Sequence, residues 1–227
     1  VEPGEFPSYK FVRALMNALS NDNGTIFRWS HHENTILNGI REEINLDPEP
    51  PEDKEDLIEF IRIVTKGGER DMVDLCAISS KCFFHEYTNG RNSLKVVLPA
   101  LFKASPFLRD TYSNPIYGAP KGIPSFNFKS DNGFAWYDPS SNNYDPYRIL
   151  KSLAYDLLPV DIEEPDDEGA SIIAEGGAAA MAYARLQFED LDDQTRLRIK
   201  DSLLRYCELD TLAMAMFRAG NFDGNTA

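Results

Sequence analysis

Apolar residues recur at intervals of three and four along most of the chain, and this spacing predicts helices. In the first hundred residues the predicted helices are 6–20, 30–44, 57–64 and 93–102. The second is expected to begin at Ser30, whose hydroxyl can cap a helix when Glu33 follows three residues later. The last third of the chain predicts three more helices, at 147–158, at the alanine-rich stretch 171–186 and from about 192 to 219.

Strand signals are short and few. Residues 25–29 are rich in β-branched and aromatic side chains, and the apolar run 72–78 is the candidate for a second strand. The chain is therefore expected to be helix-rich, with a small amount of sheet.

The segment between Tyr112 and Tyr147 has no helical or strand period. It holds nine aromatic residues interleaved with Pro, Gly, Asn and Ser, and it leads towards an acidic stretch, 161–168, that predicts a solvated linker. Irregular segments of this length are usually functional or inserted, so we predict an insertion at about 111–170. Three roles stay open for the aromatic loop: packing on its own domain, protein contact, or stacking of single-stranded bases.

The chain is acidic, with 23 basic and 37 acidic residues and a formal charge of −14. This charge argues against a protein that coats nucleic acid without regard to sequence, because such proteins have a basic face. It does not argue against an enzyme that meets phosphate through bound cations. No apolar run approaches the roughly 18 residues that a membrane span requires, so no membrane partner is expected.

The three cysteines are odd in number and are Cys76, Cys82 and Cys207. A metal cluster of Cys76, Cys82 and His85 is the weaker interpretation, because its spacing matches no common zinc site. We expect reduced, mostly buried thiols instead, which indicates a reducing, cytoplasmic location.

The last predicted helix carries a carboxylate on its apolar face. The members of the apolar stripe are Ile199, Leu203, Tyr206, Ala213 and Phe217. Asp210 occupies the missing position of this series. Because an unpaired carboxylate is costly to bury, two interpretations stay open: an ion pair with Arg196 or Arg205, or a functional carboxylate.

Glu33 repeats this pattern in the helix predicted after the first strand. It shares a face with Ile36, Leu37 and Ile40. Helix capping is the simpler role for Glu33. The alternative is a functional carboxylate, because open α/β sheets place ligands just past the carboxyl ends of their strands.

The segment YCELDTLAM, residues 206–214, resembles the third motif of the DEDD, or DnaQ-like, 3′–5′ exonucleases in its Y-x-x-x-D form. More closely, the chain resembles a bacterial family, a domain of unknown function, within that superfamily. The matching segments are residues 27–33, VDL at 73–75, FFH at 83–85, SLKVVLPAL at 93–101, EGGA at 175–178 and AY at 182–183. They extend over most of the chain apart from the aromatic loop and the acidic linker.

This resemblance implies a ribonuclease H-like α/β fold over residues 1–227 that lacks its N-terminal strands and carries the aromatic loop as an insertion. It also implies a hydrolase that trims single-stranded DNA or RNA from the 3′ end with two Mg²⁺ or Mn²⁺ ions. Glu33 and Asp210 would then ligate metal, and Tyr206 would orient the attacking water. Lys95 would meet substrate phosphate, or would be an ordinary exposed helix lysine.

The first motif of that superfamily, an Asp-x-Glu on a strand, has no match before Thr25. Glu2 and Glu5 stand in a Pro-rich start without strand character. We expect the missing carboxylates either in a segment preceding Val1 or lost altogether. Under the first alternative the chain is the C-terminal part of the nuclease, and under both we expect it to be inactive by itself.

A second departure lies beside Glu33. Trp29 and His32 stand where the family has Asn and Phe. The pair His31 and His32 either adjusts the metal ligands or consists of ordinary polar residues at a helix start. Two further interpretations of the whole chain stay open: a non-catalytic ribonuclease H-like scaffold or protein-interaction module, and an unrelated acidic helical protein.

Overall fold

The computed structural model describes residues 7–154 and 170–223. The chain forms two compact units, of which the first is Val1–Phe84 and the second is His85–Ala227. Four sequence features lie outside the described residues: Glu2, Glu5, the end of the helix predicted at 147–158, and the acidic linker 161–168.

The first unit contains four helices and two short strands among its described residues. They are α1 (Ser8–Leu19), β1 (Phe27–Arg28), α2 (His32–Leu46), α3 (Lys54–Val64), β2 (Val73–Asp74) and α4 (Leu75–Cys82). The two strands pair in parallel, with Phe27 opposite Val73 and Arg28 opposite Asp74. The helices predicted at 6–20, 30–44 and 57–64 are confirmed.

Periodic apolar residues build the core of the first unit. Its buried members are Val12, Leu37, Ile40, Ile44, Leu57, Ile61, Val64 and Met72. Within α2 and α3 they repeat every three or four residues, so each helix turns one continuous face inward. The apolar residues that recur at helical spacing in the sequence are thus the residues that are buried.

Two local predictions in the first unit are wrong. The run 72–78 is a strand only at Val73–Asp74, because the Asp74 carboxylate accepts a hydrogen bond from the Ala77 amide at 3.0 Å and caps α4. Ser30 does not cap α2, which begins at His32. The Ser30 backbone is left-handed, with a φ of 73°, and it forms the turn between β1 and α2 instead.

The described part of the second unit is largely helical and contains one long irregular segment. Its described elements are a 3₁₀ turn (Glu86–Thr88), α5 (Leu94–Ala104), α6 (Pro106–Tyr112), α7 (Pro146–Ala154), α8 (Ala170–Phe188), α9 (Asp193–Arg218) and a final π turn (Ala219–Asp223). The helices predicted at 93–102, 171–186 and 192–219 are confirmed. The stretch between Tyr112 and Pro146 contains no regular helix or strand, as the aromatic composition predicts.

The described chain is therefore helix-rich with a two-stranded parallel sheet, which is consistent with the broad α/β class. Of the helices that the structure describes, none combines the length and the apolar character needed to cross a membrane.

Candidate functional site

Tyr206 and Asp210 lie one turn apart on α9 in the second unit. Residues four apart on a helix lie on the same face, and both side chains are partly buried there. The adjoining turns of α9 bury Leu209, Leu212 and Ala213. The buried stripe of α9 thus passes through Leu209 rather than position 210, and the partly buried Asp210 lies at its edge.

A tyrosine from outside α9 bonds to Asp210. The hydroxyl of Tyr147, at the start of α7, donates a hydrogen bond of 2.7 Å to Asp210 Oδ1. Tyr147 is only 3% exposed. Burial raises the pKa of the Tyr147 phenol well above its ordinary value, and the charge and hydrogen bond of Asp210 raise it further. Tyr147 therefore remains a protonated donor at any physiological pH.

Lys95 from α5 joins the same cluster. Its Nζ donates a hydrogen bond to the hydroxyl of Tyr206, and it lies 4.7 Å from the ring centroid of Tyr206 and 5.7 Å from that of Tyr147. Such cation–π contacts stabilise an ammonium group as it leaves water. The interpretation of Lys95 as an ordinary exposed lysine is wrong, because its side chain is partly buried between two rings.

The arginines considered as ion-pair partners of Asp210 are engaged elsewhere. Arg205 pairs with Asp201 at 3.1 Å and lies 5.2 Å from the Phe128 ring centroid. Arg196 donates to the backbone carbonyl of Leu186 at 3.2 Å. Contacts link Asp210 to Tyr147, and link Lys95 to Tyr147 and Tyr206. We call these four residues the Lys95 cluster (Lys95, Tyr147, Tyr206 and Asp210).

Glu33 lies in the first unit, just after β1. Its Oε1 accepts a hydrogen bond of 3.3 Å from the Trp29 amide, so it closes the turn between β1 and α2. Its Oε2 is buried and has no hydrogen-bond partner among the described residues. His31 and His32 are exposed. One carboxylate oxygen of Glu33 is therefore desolvated without compensation, which is the state expected of an oxygen that binds a cation.

A second carboxylate of the first unit, Asp74, lies close to Glu33 in the fold order but has no site-like pattern in the sequence. Asp74 ends β2, opposite Arg28, and its Oδ2 lies 2.7 Å from Arg28 Nη1. Its Oδ1 accepts hydrogen bonds from the amides of Ser30 and Ala77. These bonds satisfy the Asp74 carboxylate, so we assign it a structural role.

Glu33 in the first unit and Asp210 in the second each meet only part of what a metal site requires. The buried Oε2 of Glu33 suits a hard cation such as Mg²⁺, whereas Oδ1 of Asp210 is already bonded to Tyr147. In the part of the chain that the structure describes, no three His, Cys, Asp or Glu side chains are grouped so that they could hold a metal ion. That excludes the cluster of Cys76, Cys82 and His85. A complete site would need further carboxylates.

The aromatic loop is packed on its own unit. Tyr117, Phe128, Trp136 and Tyr137 are each less than 10% exposed, and Trp136 meets Phe128 edge-on at a centroid distance of 5.0 Å. Of the three roles considered for this loop, packing on its own domain therefore accounts for most of its aromatic side chains.

Glu208 of α9 holds this loop in place. Its Oε1 accepts hydrogen bonds from the hydroxyl of Tyr117, at 2.5 Å, and from the hydroxyl of Ser125. Its Oε2 accepts from the backbone and side-chain amides of Asn127 at 2.9 and 2.6 Å. Glu208 comes two residues before Asp210 in the sequence, and no spacing pattern there distinguishes it as a site residue.

The three cysteines are all described and form no disulfide. Cys82 and Cys207 are exposed and Cys76 is partly buried. The expectation of reduced thiols is consistent with this, but the expectation of mostly buried thiols is wrong, because α4 and α9 turn Cys82 and Cys207 towards solvent.

Comparisons with protein-family models, with curated proteins and with solved structures found no match to this chain. Any assignment of class therefore depends on the residues and geometry described above.

Proposed function

We propose that this chain is part of a metal-dependent 3′–5′ exonuclease of the DEDD type with a ribonuclease H-like fold. The observation that carries the proposal is the Lys95 cluster. Tyr206 and Asp210 have the Y-x-x-x-D spacing, lie together on one partly buried helix face, and receive a cation and a hydroxyl donor from α5 and α7. An arrangement that serves packing alone would more simply place an apolar residue at position 210.

In this proposal Asp210 is a ligand of Mg²⁺ or Mn²⁺ in the second unit, Glu33 is a cation-binding carboxylate of the first unit, and the remaining ligands come from outside the described residues. Such ions activate water and neutralise the charge of the phosphate that is cleaved. The unpartnered Oε2 of Glu33 supports its role as a ligand. Lys95 keeps the Tyr206 hydroxyl in one orientation through their hydrogen bond. Three reduced cysteines fit a cytoplasmic enzyme.

The test is a trimming assay on the longest natural reading frame that contains this chain. A single-stranded oligonucleotide labelled at its 5′ end, as DNA and as RNA, is incubated with Mg²⁺ or Mn²⁺. We expect stepwise shortening from the 3′ end, and we expect Asp210→Asn to slow it about tenfold or more, because a ligand charge is lost. The matched control is Asp190→Asn, at an exposed position between α8 and α9, which should retain full activity.

Two results would overturn the proposal. One is the absence of trimming by the wild-type protein with either metal. The other is trimming that Asp210→Asn leaves as fast as Asp190→Asn does. The 227-residue chain alone is expected to be inactive in the same assay, and trimming by it would show that these 227 residues already complete the site.

A second candidate function is that of a non-catalytic scaffold. The hydrogen bond from the buried Tyr147 to Asp210 favours it, because a bonded carboxylate can serve simply to fix α7 on α9. This candidate requires that Asp210→Asn lower the free energy of unfolding while the wild-type protein trims no substrate. Urea unfolding of Asp210→Asn and Asp190→Asn measures whether the first variant has the lower free energy of unfolding.

A further inference from the structure

Tyr147 is the buried member of the Lys95 cluster. It is 3% exposed, whereas Lys95, Tyr206 and Asp210 are partly buried. A phenol that leaves water needs a hydrogen-bond acceptor, and the Tyr147 hydroxyl donates to Oδ1 of Asp210 at 2.7 Å. The protein therefore encloses the ring of Tyr147 and directs its polar end at the one carboxylate of the cluster.

The start of α7 fixes where this hydroxyl lies. The Asp145 carboxylate accepts a hydrogen bond of 2.9 Å from the Tyr147 amide, which is the contact that a helix N-cap makes. Pro146 takes the first position of α7, where its fixed φ suits a helix start. Backbone and ring of Tyr147 are thus both held, so its hydroxyl reaches Asp210 from a defined direction.

The Asp210 carboxylate gains a fixed orientation from this bond. An aspartate side chain has two rotatable bonds, so the backbone of α9 alone does not set the direction of its oxygens. A donor of defined position that bonds one oxygen selects one arrangement. Carboxylates that bind metal ions in proteins are oriented in this way by hydrogen-bonded neighbours. Tyr147 supplies this contact from another helix, 63 positions away in the sequence.

Docking of α7 does not require a carboxylate as the partner of Tyr147. Tyr147 and Leu150 of α7 are 3% and 6% exposed, and the apolar surface that they bury already favours docking. Phenylalanine at position 147 would bury the same ring without drawing a charged group out of water. The pairing of a buried phenol with Asp210 therefore indicates a role in orienting the carboxylate.

We infer that Tyr147 is a positioning residue of the proposed site, whose hydroxyl holds the Asp210 carboxylate in the orientation that binds a divalent cation. This role rests on the proposed function, because Asp210 is the metal ligand there. Tyr147 acts through Asp210 rather than on the substrate. Its loss should therefore weaken metal binding and leave the KM for the oligonucleotide unchanged.

The test compares Tyr147→Phe with Tyr144→Phe in the longest natural reading frame that contains this chain. Both changes remove one phenolic oxygen and keep the ring, and the ring of Tyr144 stacks on Tyr137 at 5.8 Å between centroids. Mn²⁺ binding is measured by electron paramagnetic resonance of the free ion. We expect Tyr147→Phe to weaken Mn²⁺ affinity about tenfold, because loss of a hydrogen bond that orients a metal ligand costs about 10- to 100-fold. Tyr144→Phe should bind as wild type does.

Two further measurements separate orientation of Asp210 from support of the fold. In the trimming assay, raising the Mn²⁺ concentration about tenfold should restore the rate of Tyr147→Phe, because the defect is in metal affinity. Its KM for the oligonucleotide should equal that of wild type. Urea unfolding of Tyr147→Phe and Tyr144→Phe ensures that Mn²⁺ binding is compared between folded proteins, which the retained ring favours.

Equal Mn²⁺ affinity of Tyr147→Phe and Tyr144→Phe would contradict this role of Tyr147, and so would a rate that added Mn²⁺ does not restore. The proposed function survives both results if wild type trims faster than Asp210→Asn. Wild-type protein that neither binds Mn²⁺ nor trims would remove the proposed function and the role of Tyr147 together. The two failures are thus distinguishable.

Discussion

Replacing Glu208 by Ala is expected to lower the free energy of unfolding of the second unit by about 3 kcal/mol. The substitution leaves the Tyr117 and Ser125 hydroxyls and two amide groups of Asn127 without their acceptor. Hydrogen bonds to a charged group contribute about 1.5 to 3 kcal/mol each and do not add fully when they share one acceptor. Glu208→Gln keeps one acceptor oxygen, so a smaller loss of about 1 kcal/mol is expected.

The same carboxylate should make stability depend on acidity. Burial alone would raise the pKa of Glu208, but the hydrogen bonds from Ser125, Tyr117 and Asn127 outweigh it and hold this pKa below its ordinary value. Its contribution is therefore present above the unfolded-state pKa, near about 4.3. It is lost as the pH falls through the lower folded-state pKa. Wild type should lose more stability than Glu208→Gln as the pH is lowered from about 5 to 3.

Tryptophan fluorescence can follow the second unit selectively. The chain has two tryptophans, so Trp29→Phe leaves Trp136, which packs edge-on against Tyr117 at 5.7 Å between ring centroids. Urea unfolding in this background should show the Glu208 effects. Glu86→Gln, at an exposed position of the same unit, is the control and should unfold at the wild-type urea concentration. Equal midpoints for Glu208→Ala and wild type would show that Glu208 does not hold the loop.

Asp74→Ala is expected to destabilise the first unit by about 3 to 5 kcal/mol, because it leaves a buried cation unpaired. Arg28 is 9% exposed, and its guanidinium bonds Asp74 and the backbone carbonyls of Met72 and Ser30. The same substitution removes the hydrogen bond that caps α4. Loss of the cap contributes about 1 kcal/mol of the total.

Hydrogen–deuterium exchange of first-unit peptides measures this effect without relying on a single probe. Faster exchange throughout α1, α2 and α3 is expected for Asp74→Ala, and unchanged exchange for Glu69→Ala, at an exposed position of the same unit. Adding Arg28→Met to Asp74→Ala should restore part of the loss, because no unpaired charge then remains buried. The contradicting result is a double variant that is less stable than Asp74→Ala by as much as Arg28→Met alone destabilises the wild-type protein. In that case the two residues do not act as a pair.

The sequence predicts most of the helices because their core faces follow the helical period. Two pairs of buried residues show this period, each with members four residues apart: Ile40 and Ile44 in α2, and Leu57 and Ile61 in α3. The strand at 72–78 was overestimated because its apolar run has no clear period. Asp74 caps α4 through a local side-chain contact. The apolar residues around Asp74 give no indication of this contact in the sequence.

The site was less predictable than the fold, because its members are distant in sequence. Asp210 and Tyr206 could be selected as a pair within one helix. Tyr147 is separated from Asp210 by 63 positions, and Lys95 from Tyr206 by 111. No spacing rule relates residues that far apart. The anchoring role of Glu208 likewise depends on partners 81 to 91 positions away, so it emerges only in three dimensions.

Two tyrosines hold α9 on two different sides. Tyr117 bonds Glu208 and Tyr147 bonds Asp210. Residues two apart on a helix are separated by about 200° around its axis. Hydrogen bonds at two nearly opposite points on its surface oppose rotation of α9 about its own axis. A rotation in either direction would stretch or misalign both bonds. A rotation of α9 that breaks the bond at Glu208 would therefore also disturb the bond at Asp210.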